Sequence, residues 1–244
     1  KVHFLLESYP SSYAARNLGV LNATGEVIAF TDADCIPHEN WIENGVKNLK
    51  ENPGLGLLAG KINVFFRDSD NPGVVEIYER LMAFQQDYLI KKGNFCSTSN
   101  LFTYREVFDD IGLFKSTLKS GGDREWGRRV FSAGYIQSYA EDVCIEHPAR
   151  YSLKQLLQRN ERISGGLHDI NTGADSKLQG IILEIKDILF ELPPPIRRIK
   201  KIFYADLSLP FQRRLQLILI LFVVKYSRTL TRVRLLFGGN TARS

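Results

Sequence analysis

Val27-Ile28-Ala29-Phe30-Thr31-Asp32-Ala33-Asp34-Cys35 is an apolar run that ends in two carboxylates one residue apart. Its first five residues are rich in β-branched and aromatic types and follow the turn-forming Thr24-Gly25-Glu26, so they read as a buried strand of an α/β sheet. In an open parallel sheet, ligands bind beyond the carboxyl ends of the strands, which is where Asp32 and Asp34 fall. Residues i and i+2 of an extended segment point the same way, so the two carboxylates converge on one small volume. Like charges that close are costly unless a cation joins them, which points to a divalent-metal site with a phosphate-bearing ligand. The local alternative is that Asp32 caps a turn and Asp34 caps the helix beginning near Pro37.

Outward from this stretch, a chain of 244 residues can bury a full core and hold one large domain, or one domain with an appendage. The division expected is a core over residues 1–175 and a helical region over 176–244. Lys1 is not an initiator Met and Val2-His3-Phe4-Leu5-Leu6 reads as a strand inside a domain, so upstream sequence is expected. Cys35, Cys96 and Cys144 lie far apart and form no C-x-x-C pair, which indicates neither a disulfide framework nor a zinc site and fits a reducing compartment. The net charge of +5 is uneven: residues 191–244 carry eleven Lys or Arg against Glu191 and Asp206, a net +9 that leaves −4 for residues 1–190. That argues against a nucleic-acid-binding body and for a C-terminal segment facing something anionic, such as a membrane surface.

Along the chain, Ser11 is placed to cap a short helix packed by Ala14, Ala15 and Leu18, and residues 38–50 form an amphipathic helix with Trp41, Ile42, Val46 and Leu49 inward. Gly54-Leu55-Gly56-Leu57-Leu58-Ala59 imitates a dinucleotide fingerprint but leads into a strand, Lys61 to Phe66, and opens no helix, which rejects it as a phosphate loop. Residues 74–92 read as one longer helix bearing Tyr78, Leu81, Met82 and Tyr88. After Gly121-Gly122, Asp123 stands at the head of a helix that continues through Phe131, where an N-cap is the local reading. His147 follows a strand around Ile136 to Ala140, as a satisfied structural histidine would.

The ordered set A-A-R-N-L-G, A-T-G-E, D-A-D-C, I-P and Trp41, then F-C-S-T-S-N-L, R-E-V-F with I-G-L-F, and G-G-D-R-E-W, resembles the inverting family 2 glycosyltransferases over about residues 8–150. The resemblance implies an α/β fold of GT-A type, a Rossmann-like nucleotide-sugar-binding core, here without its opening βαβ unit of roughly 30 residues and that unit's uridine-contacting carboxylate. It also implies roles. Arg16 would lie near the nucleotide, Asp32 and Asp34 would hold the donor ribose and a Mn²⁺ or Mg²⁺ on the diphosphate, and Asn100 would sit beside the donor sugar. Asp123 would be the general base, although Gly122 stands where many members have Glu, so only the Asp carries over. His147 becomes a third metal ligand, set against the structural reading.

The resulting expectation is metal-dependent transfer of a sugar from a nucleoside-diphosphate sugar to an acceptor hydroxyl with inversion, in polysaccharide, glycolipid or cell-envelope glycan synthesis. The acceptor is a carbohydrate or a lipid-linked one, and no nucleic acid is involved. The rivals are a metal-dependent nucleotidyltransferase, disfavoured by the lack of a phosphate-cradling loop, and a non-catalytic GT-A-like module tethered to a membrane. In the C-terminal region, the helix Leu153 to Arg162 is expected to end at Gly165-Gly166, the polar segment to Ser176 reads as a lid or linker, and Leu178 to Leu192 as an amphipathic helix halted by Pro193-Pro194-Pro195. Leu215 to Val224 is apolar except for Gln216, but ten helical residues reach about 15 Å, half of a ~30 Å hydrocarbon core. An interfacial helix at the cytoplasmic face of an anionic membrane, or a helix packed on the enzyme or on a second subunit in a homo-oligomer, are the readings that stand.

Overall fold

The structure is a computed structural model that describes residues 2–173, 177–205 and 209–241. In chain order its elements are α1 (Ser12–Asn22), β1 (Val27–Thr31), β2 (Ile36–Pro37), α2 (Trp41–Glu51), β3 (Leu55–Phe65), α3 (Val74–Met82), α4 (Gln86–Gly93), β4 (Asn100–Tyr104), α5 (Arg105–Ile111), α6 (Gly122–Ser132), β5 (Ile136–Pro148), α7 (Leu153–Thr172), α8 (Lys177–Glu191), α9 (Ile196–Tyr204) and α10 (Phe211–Leu236). Two compact units result: Lys1–Val64 with Phe84–Pro148, and Phe65–Ala83 with Ala149–Ser244. The boundary expected at 175 and 176, and the end of the polar segment at Ser176, fall on residues 174–176, outside the described residues.

The first unit is built on a sheet of order β1-β4-β3-β5-β2. The parallel setting expected for β1 is corrected: β1 pairs antiparallel with β4, Val27 opposite Tyr104 through Thr31 opposite Asn100, and β4 pairs antiparallel with β3. An apolar run reads alike in either setting, because what it records is burial and not strand direction. The more deeply buried strand is β4, with Asn100 to Thr103 all inside, while β1 buries only Ile28. Val2, Phe4 and Leu6 form no strand and lie exposed.

Why α2 sits where it does follows from one glycine. A Cβ on Gly45 would come within 2.2 Å of the Phe102 ring, so the inward stripe is Trp41, Gly45 and Leu49, one residue per turn at i, i+4 and i+8. Ile42 is therefore turned out and Val46 only half buried, unlike the expected face. Trp41 meets Phe102 edge-on at 4.8 Å, and with Leu58, Ile62, Val143 and Ile145 they form the core of this unit. The Gly54-to-Ala59 segment is strand from Leu55 onward and buried through Gly60, which agrees with its rejection as a phosphate loop. On the other side of β1, Phe30, Phe108, Phe114 and Trp126 pack together, with Phe108 stacked on Trp126 at 4.5 Å. That cluster anchors α6 through Trp126. The single helix expected over 74–92 is two helices, broken where Phe84 takes a left-handed φ of 52°.

In the second unit α10 packs with α3, α7, α8 and α9 around Ile77, Tyr78, Leu156, Ile202, Leu217 and Leu221. The end expected for α7 at Gly165-Gly166 does not occur: the helix runs on to Thr172, with Ser164, Gly165 and Gly166 buried on its packed face. Small residues there allow close approach, and a Cβ on Gly165 would already stand 3.2 Å from Thr241. The apolar decad, expected either at a membrane interface or packed on protein, lies inside α10, where Leu217 and Leu221 are fully buried in the unit's own core. No helix among the described residues is long and apolar enough to cross a membrane.

Candidate metal and donor site

The carboxylates after β1 are not on the strand. Its last residue is Thr31, and Asp32-Ala33-Asp34-Cys35 makes a turn closed by the Cys35 N–H donating to the Asp32 carbonyl at 3.1 Å. The turn separates the two side chains into different roles. Asp32 is held at both oxygens: Arg16 Nη2 donates to Oδ1 at 2.9 Å and Ser99 Oγ donates to Oδ2 at 2.5 Å. Asp34 remains largely exposed, with its Oδ1 4.0 Å from His147 Nε2.

His147 arrives from the end of β5 and is 4% exposed. Its Nδ1 lies 2.7 Å from the Pro148 carbonyl oxygen, which can only accept, so the proton sits on Nδ1 and the Nε2 lone pair faces Asp34. A backbone carbonyl orienting a ring in this way is how metal-binding histidines are set. Phe84 closes over the imidazole with ring centres 4.3 Å apart, and its left-handed backbone, strained for an aromatic residue, is spent at this contact. Ligand atoms of Asp32, Asp34, Cys35 and His147 all lie within 4.8 Å of one another. An oxygen and an imidazole nitrogen about 4 Å apart suit an ion bound at about 2.1 Å from each, and a carboxylate with neutral imidazole suits Mn²⁺ or Mg²⁺. Burial pushes the Cys35 thiol up, which leaves it a poor ligand beside two carboxylates.

Asp123 belongs to the same neighbourhood, on different elements. Gly121 caps α6 with φ 78°, a conformation that favours glycine, and Asp123 is the second helical residue, not the cap. Burial pushes its carboxyl above the usual range, Arg16 holds it back and Asp32 adds to the rise. Tyr13 of α1 is pushed up as well, first by burial and then by Asp123, while the Arg16 guanidinium lies 5.6 Å from its ring centre. The glycine that stands where family members carry Glu has a local cause: a Cβ on Gly122 would press within 2.8 Å of the Tyr13 ring.

Of the residues singled out from the sequence, Arg16, Asp32, Asp34, Asp123 and His147 come together. Asn100 does not come with them. It is fully buried, its Oδ1 accepts from Trp41 Nε1 at 2.9 Å, and its Nδ2 donates to the carbonyls of Lys61 and Val143 at 2.8 and 2.9 Å. Both amide N–H donors are used within the fold, and the carbonyl oxygen is engaged by the indole of Trp41. Ser99 and Tyr13 are the residues that sequence reasoning missed. Strand alternation could have found Ser99, because a buried Asn100 at the head of β4 sends its neighbour to the opposite face.

A family model described as glycosyl transferase family 2 matches residues 11–112. The chain is 39% identical over 155 residues to a glycosyltransferase, AglE, of Haloferax volcanii, a match covering 64% of this chain and 50% of that protein. It is 26% identical over 159 residues to a pre-mycofactocin glycosyltransferase of Mycobacterium tuberculosis, over 62% of this chain and 33% of that protein. The chain thus spans about half the length of the first of these relatives and a third of the second. Among solved structures, a mannosyltransferase from Pyrobaculum calidifontis in complex with GDP-Man and Mn²⁺ superposes with a TM-score of 0.53 at 17% identity, over 94% of this chain and 67% of that one. Residues 11–112 therefore match the glycosyl transferase family 2 model, and the chain has a fold of GT-A type.

Proposed function

We propose that this chain carries the donor-binding and catalytic residues of a glycosyltransferase that moves a sugar from a nucleoside diphosphate to an acceptor hydroxyl, with a divalent cation and with inversion. The observation that carries the reading is the convergence of Asp32, Asp34 and His147 beside Arg16 and Asp123. The solved mannosyltransferase of the same fold holds GDP-Man and Mn²⁺, which agrees with it.

In this reading Asp34 and His147 hold Mn²⁺ or Mg²⁺, and the ion supplies charge neutralisation on the departing diphosphate. Asp32, fixed by Arg16 and Ser99, is oriented to accept a hydrogen bond from the donor ribose. Arg16 serves two carboxylates: it holds Asp32 in place and opposes the rise that burial imposes on the Asp123 carboxyl, which favours the ionised form a general base needs. Asp123 takes the acceptor hydroxyl's proton as that oxygen attacks the anomeric carbon from the face opposite the leaving group, which inverts configuration. The acceptor belongs to the carbohydrate or lipid-linked class of envelope glycans. The basic residues of α9, with Leu189, Phe190, Leu192 and Ile196 exposed around Pro193-Pro194-Pro195, suit peripheral attachment at the cytoplasmic face of an anionic membrane.

The test is Asp123→Asn in the whole protein, read as nucleoside diphosphate released from a nucleotide sugar in the presence of simple glycoside acceptors. Turnover should fall by about 10² or more while donor affinity is kept. Near-normal turnover, or a product of retained configuration, would overturn the reading.

A further inference from the structure

Side chains alternate along β5. Val143 and Ile145 enter the core and His147, of the same parity, faces Asp34, so Cys144 and Glu146 point to the other face of the sheet. Two neighbouring elements add to them there. The register of β2 on β5, Ile36 opposite Glu146 and Pro37 opposite Ile145, sets His38 opposite Cys144, and the His38 backbone N–H donates to the Cys144 carbonyl at 3.1 Å. Asn63 comes from β3, next to β5 in the sheet. His38 Nε2 lies 3.0 Å from Glu146 Oε1, and ligand atoms of His38, Cys144 and Glu146 all lie within 4.8 Å of one another.

An ion pair between His38 and Glu146 accounts for only part of this group. Asn63 Nδ2 donates to Cys144 Sγ at 3.3 Å and to Glu146 Oε1 at 3.0 Å, so one amide orients the sulfur and the carboxylate together. Donors that hold ligand atoms from behind are what a metal site uses to fix its geometry. Cys144 is 6% exposed and the His38 side chain is half exposed, which places the sulfur at the inner end of the group and the imidazole at its outer end, open to solvent. Lys61, the cation that acts on this thiol, is engaged by Glu141 at 2.8 Å.

We infer that His38, Cys144 and Glu146 form a second metal site, for Zn²⁺ or an ion of its class, with Asn63 orienting two of the three ligands. A thiolate, an imidazole and a carboxylate are the donor set that Zn²⁺ takes, and the two anionic ligands balance its charge. Ligand atoms around a tetrahedral Zn²⁺ stand about 3.3–3.6 Å apart, which rotation of the His38 and Glu146 side chains reaches from the spacing present. Three protein ligands leave the fourth position to water. The donor turn offers oxygen and imidazole ligands suited to Mn²⁺ or Mg²⁺, so the two sites differ in the metal they select as well as in the face of β5 they occupy. A bound ion ties the two-residue strand β2, and with it the chain leaving the Asp32–Cys35 turn, to β5. No C-x-x-C spacing announces such a site, because strand register and not sequence proximity brings His38 to Cys144.

The experiment is titration of the full chain, stripped with a chelator and kept reduced, with Co²⁺ as a spectroscopic stand-in for Zn²⁺, followed by competition with Zn²⁺. A near-ultraviolet band of thiolate-to-cobalt charge transfer is expected, and Zn²⁺ should displace it. Cys144→Ser should abolish the band, and His38→Ala, a substitution at a half-exposed side chain, should weaken Co²⁺ binding by about tenfold or more. Cys35→Ser, at the donor turn, should leave the band unchanged. Absence of the band leaves His38 and Glu146 as an ion pair and overturns the site. A band that survives Cys144→Ser, that is lost in Cys35→Ser, or that keeps its affinity in His38→Ala overturns it as well.

Discussion

Two polar regions of this molecule differ in what they leave open. In the first unit, Asp32, Asp34 and His147 bring ligand atoms within 4.8 Å of one another, and burial raises the carboxyl of the nearby Asp123. Around Asn100, the amide carbonyl accepts from Trp41 and the amide nitrogen donates to the carbonyls of Lys61 and Val143. The difference teaches what each region serves: carboxylates brought together are relieved by a metal ion, whereas an amide bonded to three partners in the core holds the fold.

That contrast can be broken by experiment. Asn100→Ala should have the largest effect on stability, about 3 kcal/mol or more, because it strands the Trp41 indole N–H and the carbonyls of Lys61 and Val143 in the core. Denaturant unfolding measures it, and a loss under 1 kcal/mol, less than about one stranded group is expected to cost, would return Asn100 to a functional role. A smaller effect, of opposite direction, is expected at Asp123. A carboxyl whose folded value is raised favours folding below its unfolded value and loses that contribution as pH rises through the folded one, so ionised Asp123 opposes folding at neutral pH. Asp123→Asn should therefore raise the melting temperature at pH 7 by about 2–4 °C, the shift for about 1 kcal/mol in a chain this size. Scanning calorimetry should show the gain shrinking as pH falls into the carboxylate range. A lower melting temperature of Asp123→Asn at pH 7 would mean that the charge is paired.

What the sequence made legible was local. Ser11 caps α1 through Tyr13 and Ala14 N–H groups, and the glycine before Asp123 opens α6, because such signals act within a few residues. The glycosyl transferase family 2 resemblance is borne out over residues 11–112, and the α/β fold of GT-A type with it. What stayed hidden was set by distant partners. The orientation of β1 depends on β4, about 70 residues away, and the burial of Asn100 depends on the indole of Trp41. The inward face of α2 is decided by a phenylalanine in another strand, and Gly165-Gly166 reads as a helix end unless the helix it packs beside is known. The apolar decad of α10 carried a membrane-like pattern because a helix buried on one face in a bundle and one lying at an interface have the same periodicity.

The central claim, that the turn after β1 is a metal-dependent diphosphate site, is met most directly by titrating a nucleoside diphosphate into the whole protein with Mn²⁺ and again with a chelator, then repeating both on Asp34→Ala. The account predicts a Mn²⁺-dependent component of binding that disappears in Asp34→Ala, because His147 and the Arg16-bound Asp32 cannot by themselves offset the cation's dehydration. A Mn²⁺-dependent component of unchanged affinity in Asp34→Ala, or binding indifferent to the chelator in the unsubstituted protein, would contradict it.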